Sequence, residues 1–257
     1  MITFKSDSDI VLMRQAGRIV ADVLKLMRDM VRPGIDTLTL DKAAENLIIK
    51  ANAKPAFKGY KVPDTPPFPG TICASINNEI IHGIPSKDRF LEEGDIISID
   101  TGASFKGFFG DAAITLPVGQ ISEDRQRLLD LTLLSLHKGR DAIRPGATLG
   151  DIGNAVERTV TPHGLGVVRD YAGHGIGRHL HEAPQVCNFG QKGTGITVKS
   201  RMTFCVEPMI TAGSEEIVLD EEDKWTVYTA DGSDAAHFEY SLLVTDEGSE
   251  ILTPWED

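Results

Sequence analysis

Apolar residues recur with helical spacing near the start of the chain and define the first predicted element. Val20, Leu24, Met27 and Val31 follow one another at intervals of three or four residues, which places them on one face of a helix. Ser6-Asp7-Ser8 can cap this helix, and Arg32-Pro33-Gly34 would end it. The pattern then predicts a helix over 38–53, a Pro- and Gly-rich loop over 55–70, and strands over 71–76, 95–101 and 111–116.

The same order of elements returns in the second part of the chain. Helices are predicted from 122 to about 143 and over 149–160, and strands over 202–207, 225–229 and 238–245. A second Arg-Pro-Gly sequence at 144–146 separates the helices; two ordinary helix-ending turns would explain that similarity alone. Because helices precede strands in both parts, we predict an α+β protein. We expect one domain over 1–257, with pseudo-twofold-related halves at about 8–121 and 122–252.

Charge and cysteine content narrow the classes of function. The 257 residues carry a formal net charge of −12, which argues against nucleic-acid or anionic-membrane surfaces because both require clustered cations. Three widely separated cysteines form neither a disulfide framework nor a CxxC motif, as expected in a reducing compartment. The first ten residues have no signal- or transit-peptide pattern, and no apolar run could cross a bilayer. We expect a cytoplasmic protein.

Two aspartates flank a predicted hairpin in DIISIDTGASFKGFFGDAAITL. Asp100 ends one strand-like run and Asp111 opens the next, with Lys106-Gly107 as the turn between them. A loop at 105–106 would pair Asp100 with Asp111, and a loop at 106–107 would pair Gly102 with Asp111. Either register puts both carboxylates on one face of the hairpin. The alternatives are that a bulge turns one aspartate outward or that each pairs with a lysine.

Two glutamates lie at the margins of further strand-like sequence. Glu207 ends the run MTFCVE, and Glu239 lies within AHFEYSLLV. Either one alone could face solvent, but acids in buried strands are costly unless they are paired or metal-bound. Four such acids and a nearby histidine-rich loop predict a site for divalent cations. Oxygen ligands with an imidazole suit Mn, Fe(II), Co or Mg better than a closed thiolate zinc site, and the scattered cysteines are not expected among the ligands.

The histidine-rich loop is GHGIGRHLHE, residues 173–182, which contains His174, His179 and His181. A glycine-rich loop can also bind phosphate, but this one lacks the dinucleotide-binding spacing and the P-loop lysine. The chain has no GxSxG elbow of a serine hydrolase either. In an extended segment His179 and His181 share a face, so one of them could reach the site.

Five ordered blocks of sequence resemble the type I methionine aminopeptidases, which are metallopeptidases of the pita-bread fold. Any one block is weakly specific, whereas five in order with matching internal spacing are strongly specific, and together they extend over nearly the whole chain. The blocks are NNEIIHGIP (77–85), the Asp100–Asp111 hairpin, GHGIGRHLHEAP (173–184), FCVEPM (204–209) and WTVYTADGSDAAHFEY (225–240).

The resemblance implies a site for two divalent metal ions per chain, with Co, Mn or Fe(II) as first candidates and Zn or Mg as further ones. The implied metal ligands are Asp100, Asp111, His174, Glu207 and Glu239. The implied catalytic residues are His82 and His181, which would contact substrate, and Glu207, which would also transfer protons. His179 would have no role.

The resemblance also implies the substrate. It predicts removal of the N-terminal methionine from nascent polypeptides whose second residue is small, by a monomer that can associate transiently with the ribosome. The implied pocket for the methionine side chain contains Tyr60, Phe68, Cys73, Leu180 and Trp225. Aromatic and sulfur groups suit a thioether, although Leu180 and Cys73 could instead be ordinary core residues.

Three features depart from the family pattern. Residues 61–67, KVPDTPP, make a longer connection between Tyr60 and Phe68 than the family usually has. Phe109 stands where histidine is common, and His237 and Tyr240 stand where glutamine and histidine are common. His237, two residues before Glu239, is either a hydrogen-bond donor to a ligand carboxylate or to substrate, or a rim histidine in solvent.

Two other functions remain as alternatives at this point. A prolidase or aminopeptidase P relative would share the fold and ligands, but those enzymes usually carry a large N-terminal domain for which 257 residues leave no room. A catalytically silent pita-bread module would bind peptides or proteins without hydrolysing them. Such modules lose metal ligands, whereas this chain keeps all five.

Overall fold

Two pairs of helices pack against antiparallel sheets in the computed structural model, which describes residues 2–256. The helices are α1 (Asp7–Met30), α2 (Thr37–Lys50), α3 (Glu123–Asp141) and α4 (Leu149–Val160). Ser6 caps α1 as predicted: its side chain accepts a hydrogen bond from the Asp9 N–H, and the Asp9 side chain accepts one from the Ser6 N–H. Helix α2 ends before the predicted residue 53 because Asn52 takes a left-handed conformation with φ of 57°.

The strands form four antiparallel sheets, and many of them are shorter than four residues. In chain order they are β1 (Lys54–Pro55), β2 (Ile72–Ile76), β3 (Glu79–Ile81), β4 (Ile96–Phe105), β5 (Phe108–Pro117), β6 (Gly166–Val167), β7 (Gly173–Gly175), β8 (Glu182–Val186), β9 (Thr203–Val206), β10 (Met209–Thr211), β11 (Ile217–Leu219), β12 (Val227–Thr229), β13 (Ala235–His237), β14 (Tyr240–Val244) and β15 (Ser249–Ile251). All six predicted strands are present, with β12 and β14 each beginning two residues late.

The β4–β5 hairpin turns at Lys106-Gly107, which is the second of the two predicted loops. Both turn residues have positive φ, 49° and 82°, as a two-residue type I′ turn requires. The register pairs Gly102 with Asp111 and Asp100 with Ala113. The two aspartates therefore lie on one face of the hairpin, on adjacent strands.

Strand β4 is the centre of the first sheet, with β5 on one side and β2 and β1 on the other. The largest sheet has the order β15-β14-β9-β7-β8, and two three-stranded sheets have the orders β13-β10-β6 and β11-β12-β3. Helices α1 and α2 pack together, as do α3 and α4, and α1 lies along β4 and β5. Apolar side chains from all four helices and from β4, β5, β9 and β14 form the largest core cluster.

A seam of hydrogen bonds joins the β4–β5 hairpin to the segment around β14. The Ser241 hydroxyl donates to the Asp111 carbonyl at 2.7 Å and accepts from the Asp111 N–H at 3.1 Å. The Glu239 N–H donates to the Ala113 carbonyl at 2.9 Å. The seam brings two of the candidate metal ligands, Asp111 and Glu239, together from the two halves of the sequence. The pseudo-twofold relation between the two halves stays a prediction. None of the helices between residues 2 and 256 combines the length and the hydropathy that a bilayer crossing requires.

Candidate active site

The five candidate metal ligands come from five different places in the fold and line one cavity of about 420 Å³. Asp100 and Asp111 lie on β4 and β5, His174 on β7, Glu207 directly after β9, and Glu239 between β13 and β14. Asp111 and Glu239 are almost fully buried, at 3% and 2% exposed. The alternative, in which a bulge turns one aspartate outward, is therefore wrong for Asp111.

His174 presents one ring nitrogen to the acids. Its Nε2 lies 3.7 Å from Asp111 Oδ2 and 3.7 Å from Glu207 Oε1. Its Nδ1 lies 2.9 Å from the Gly175 carbonyl oxygen, which can only accept, so Nδ1 carries the proton. The neutral ring then has its lone pair on Nε2, in the form that ligates a metal.

The glycines on either side of His174 allow three strands to approach one another closely. Strand β7 pairs with both β8 and β9. A Cβ on Gly173 would collide with the Cys205 carbonyl oxygen, and one on Gly175 with the Ala183 carbonyl oxygen. The glycine-rich sequence is thus what lets this imidazole reach the acids from a strand packed between two others.

The four carboxyl groups are held in an environment that disfavours their charge. Burial raises the pKa of Asp100 to about 7. Burial, and repulsion from the neighbouring carboxylates, raise the pKa values of Asp111, Glu207 and Glu239 well above their usual range. Burial, reinforced by His181, lowers the pKa of His174 to about 4. Four acids and a neutral imidazole so arranged call for a compensating positive charge.

Each of the four carboxyl groups also has one buried oxygen without a hydrogen-bond partner among the residues that the structure describes. These atoms are Asp100 Oδ1, Asp111 Oδ1, Glu207 Oε1 and Glu239 Oε1. Native proteins rarely leave buried polar atoms unpaired. Divalent cations would satisfy the four oxygens and offset their charge, so the donor set fits metal ions.

Cys205 lies beside these groups, although no cysteine is expected among the ligands. Ligand atoms of Cys205, Asp111, His174 and Glu239 all lie within 4.8 Å of one another. Burial and the charges of Glu239 and Asp111 raise the pKa of the Cys205 thiol well above its usual range. The signal in the sequence was its position two residues before Glu207 on a strand, which gives both side chains the same face.

His237 is a buried residue, so the interpretation as a rim histidine in solvent is wrong. It is 2% exposed, and its Nε2 lies 3.8 Å from Glu207 Oε2. Burial and the nearby His82 lower its pKa to about 3. Both ring nitrogens lack a partner within residues 2–256, and the ring lines the cavity, where it can hydrogen-bond to a bound group.

The two histidines expected to contact substrate line the same cavity. The His181 ring lies edge-on to that of His174, with the ring centroids 4.3 Å apart. His82 meets Tyr171 and Trp225 edge-on at 5.8 and 6.1 Å, and burial together with His181 lowers its pKa to about 4. His179 is exposed and lies outside this cavity, in a neighbouring surface groove.

An apolar pocket opens from the cavity next to the acids. Its residues form one cluster of buried side chains, with the Tyr60 ring packed against them: Phe57, Phe68, Cys73, Leu180 and Trp225. The rings of Phe68 and Trp225 meet edge-on at 5.3 Å. The structure brings together all five residues expected here. Sequence reasoning missed Phe57, whose neighbourhood carried no motif.

The long connection over 61–67 leaves from and returns to the wall of this pocket. Its ends are joined because the Phe68 N–H donates to the Tyr60 carbonyl at 2.9 Å and the Gly59 N–H donates to the Phe68 carbonyl at 2.8 Å. The Trp225 indole N–H donates to the Pro66 carbonyl at 2.9 Å. Val62 lines the cavity, so the connection forms part of the cavity mouth.

Similarity to known proteins agrees with this geometry. Residues 11–246 match metallopeptidase family M24. The chain is 47% identical to a methionine aminopeptidase of Clostridium acetobutylicum, over 98% of this chain and 99% of that protein. The crystal structure of methionine aminopeptidase from Rickettsia prowazekii superimposes with a TM-score of 0.95 at 42% identity, over 98% of this chain and 100% of that one.

A prolidase from Pyrococcus horikoshii superimposes with a TM-score of 0.75 at 21% identity, over 97% of this chain and 63% of that one. Similarity at that level of sequence identity shows only that the two proteins share a fold. The match to methionine aminopeptidases is closer in both sequence and structure and extends over whole chains. This chain has the pita-bread fold and belongs to metallopeptidase family M24, within it to the methionine aminopeptidases.

Proposed function

We propose that this protein is a metal-dependent aminopeptidase that removes the N-terminal methionine from polypeptides whose second residue is small. One observation carries the proposal: buried acids with unpaired oxygens and a neutral imidazole share one cavity with an apolar pocket of aromatic, aliphatic and sulfur-containing side chains. The acids and imidazole account for hydrolysis, and the apolar pocket accounts for a thioether side chain.

The cations proposed for this site are two divalent metal ions per chain, with Co, Mn or Fe(II) as first candidates and Zn or Mg as further ones. The residues that would hold them are Asp100, Asp111, His174, Glu207 and Glu239. When bound, such ions supply Lewis acidity and make water a nucleophile near neutral pH.

The chain's own groups would then bind the substrate and move its protons. Glu207 would take a proton from the attacking water and deliver it to the departing amine. His181 would donate a hydrogen bond to the carbonyl oxygen of residue one as negative charge develops there, and His82 would contact the peptide beyond it. The apolar pocket, including Phe68, Trp225 and Cys73, would hold the methionine side chain.

The proposed substrates are nascent polypeptide N-termini, and the proposed form of the enzyme is a monomer that associates at most transiently with the ribosome. The substrate class is that of the methionine aminopeptidases to which this chain is similar. The net charge of −12 also disfavours a broad RNA-binding surface.

A panel of peptides tests the activity. Met-Ala-Ser and Met-Gly-X should be cleaved after methionine, Met-Lys-X hardly at all, and Ala-Pro peptides not at all, each assayed with several added divalent metals. Equal rates on peptides that begin with Leu or Pro would reject the methionine assignment. Absence of both bound metal and turnover of any peptide would instead favour a silent binding module.

A further inference from the structure

The Tyr60 hydroxyl makes a contact that is not required for lining the pocket. Its hydroxyl oxygen lies 2.7 Å from Nδ1 of His181, and the two rings meet edge-on with centroids 5.3 Å apart at 70°. Lining the pocket requires only the aromatic ring of Tyr60. The hydrogen bond requires its hydroxyl, and it links a pocket residue to the histidine proposed to act on the peptide carbonyl.

The backbone around Tyr60 is fixed on both sides of this contact. The Tyr60 N–H donates to the Phe57 carbonyl at 2.8 Å, and the Tyr60 carbonyl accepts from the Phe68 N–H at 2.9 Å. These bonds close the base of the 61–67 connection directly beside the tyrosine. The hydroxyl is therefore held in place before any substrate enters.

The electrostatic surroundings select the direction of the hydrogen bond. Burial and the nearby charge of Asp111 raise the pKa of Tyr60, so the phenol keeps its proton and remains available as a donor. A neutral imidazole carries its proton on one nitrogen only. When the phenol donates to Nδ1, that nitrogen supplies its lone pair and the ring proton lies on Nε2.

We propose that Tyr60 is a positioning residue whose hydroxyl donates to His181 Nδ1, which fixes the orientation of the ring and keeps its proton on Nε2. The Nε2–H is then a prepared hydrogen-bond donor for the carbonyl oxygen of the scissile peptide. The consequence for turnover rests on the proposed function. The tautomer of His181 does not, and it can be measured in the resting protein.

Nitrogen-15 NMR of the histidine rings tests the tautomer directly. The full chain, labelled at histidine and loaded with diamagnetic zinc, is measured at about pH 8, above the ordinary histidine pKa. Wild type should show His181 with the proton on Nε2, and Tyr60→Phe should show a mixture of the two tautomers. Tyr171→Phe is the matched control, because it removes another cavity hydroxyl, from a ring that meets His82; it should leave the His181 signals unchanged.

Steady-state kinetics on Met-Ala-Ser separate positioning from pocket lining. Tyr60→Phe keeps the ring, so KM and the preference for methionine over leucine should change by less than about twofold, while kcat falls about tenfold. An unchanged His181 tautomer in Tyr60→Phe, or a raised KM with unchanged kcat, would overturn the proposal. If wild type does not cleave Met-Ala-Ser, the proposed function fails while the NMR result still decides the role of Tyr60.

Discussion

Asp111 lies where the hairpin meets the seam, and it is the residue whose loss should affect the metal site most. It is 3% exposed, close to His174, and bonded through its backbone to Ser241. Asp111→Ala removes one carboxylate from the ligand set, so bound metal should fall by at least half and turnover of Met-Ala-Ser by more than about 100-fold. Metal analysis of the purified variant and its kcat/KM are the measurements.

The matched control for Asp111 is Asp141→Ala. Asp141 is an exposed aspartate that pairs with the neighbouring Arg140 at 2.8 Å, and such surface pairs contribute little. This variant should keep wild-type metal content and turnover. Normal metal and normal rate in Asp111→Ala would show that the acids around the cavity are not the ligands.

The side chain of His237 should also affect turnover, through hydrogen bonding inside the cavity. Nε2 of the buried ring lies 3.8 Å from Glu207 Oε2, and the ring lines the cavity. An amide can hydrogen-bond to a group bound in the cavity and an isobutyl side chain cannot, so His237→Gln should keep kcat/KM within about threefold while His237→Leu lowers it by about tenfold. Equal activity of the two variants would show that the ring only fills space.

At the scale of elements, the 61–67 connection should control what enters the cavity. Its ends are already bonded through Tyr60 and Phe68, so replacing residues 61–67 with Gly-Gly leaves the base closed. Removing Val62 and the three prolines opens the mouth, because proline restricts the backbone to a semi-rigid course. KM or side-chain preference should change at least about threefold, with the melting temperature within a few degrees. A lowered melting temperature with unchanged kinetics would make the connection a structural strap.

The N-terminal segment before α1 is tied to the His181 loop by a buried ion pair. Lys5 Nζ lies 2.8 Å from Glu182 Oε2, with side chains only 4% and 11% exposed, and Glu182 Oε1 accepts from the His179 N–H at 3.1 Å. Lys5→Met removes the positive charge beside the Glu182 carboxylate. It should lower the free energy of unfolding by about 2 kcal/mol at pH 7.

The loss of stability in Lys5→Met should depend on pH because Glu182 titrates. Burial alone would raise the pKa of Glu182, but Lys5 and the His179 N–H outweigh it and hold the pKa below the ordinary 4.5. A depressed carboxyl pKa contributes stability above the unfolded value of 4.5, and that stability is lost as pH falls through the folded value. Urea unfolding should therefore show the difference between wild type and Lys5→Met shrinking below about pH 4.5. Arg14→Met breaks the more exposed pair with Glu250 and should hardly lower the free energy of unfolding at any pH. A difference between wild type and Lys5→Met that does not change with pH would contradict this explanation.

Elements with strong local signals could be predicted from the sequence, and the shortest ones could not. The Ser6 cap, the Arg-Pro-Gly stops and the Lys106-Gly107 turn each act within a few residues, so α1, α3 and the β4–β5 hairpin follow from them. Strand β7 has three residues, too few for an alternating pattern, and it is extended because β8 and β9 pair with it. The same limit applies to the site: the burial of His237 and the contact between Tyr60 and His181 depend on segments that only the folded chain brings together.

At the scale of the whole molecule, the site depends on contact between the two halves of the chain. Asp100 and Asp111 come from the first half, and His174, Glu207 and Glu239 from the second, with the Ser241 and Glu239 hydrogen bonds joining them. Neither half alone contains a complete set of acids and imidazole. Metal binding should therefore stabilise the chain as one unit, with a single unfolding transition that shifts upward as metal is added.

If cations held by these five side chains make the protein an aminopeptidase, turnover must follow metal occupancy, and a metal titration measures both. The chain is stripped of metal with a chelator, and hydrolysis of Met-Ala-Ser is followed while Co²⁺, Mn²⁺ or Fe²⁺ is added in steps and bound metal is measured in the same samples. We expect no turnover in the stripped protein and a rate that rises with metal occupancy up to two ions per chain. Full turnover in the stripped protein, or occupancy that saturates without any release of methionine, would contradict this expectation.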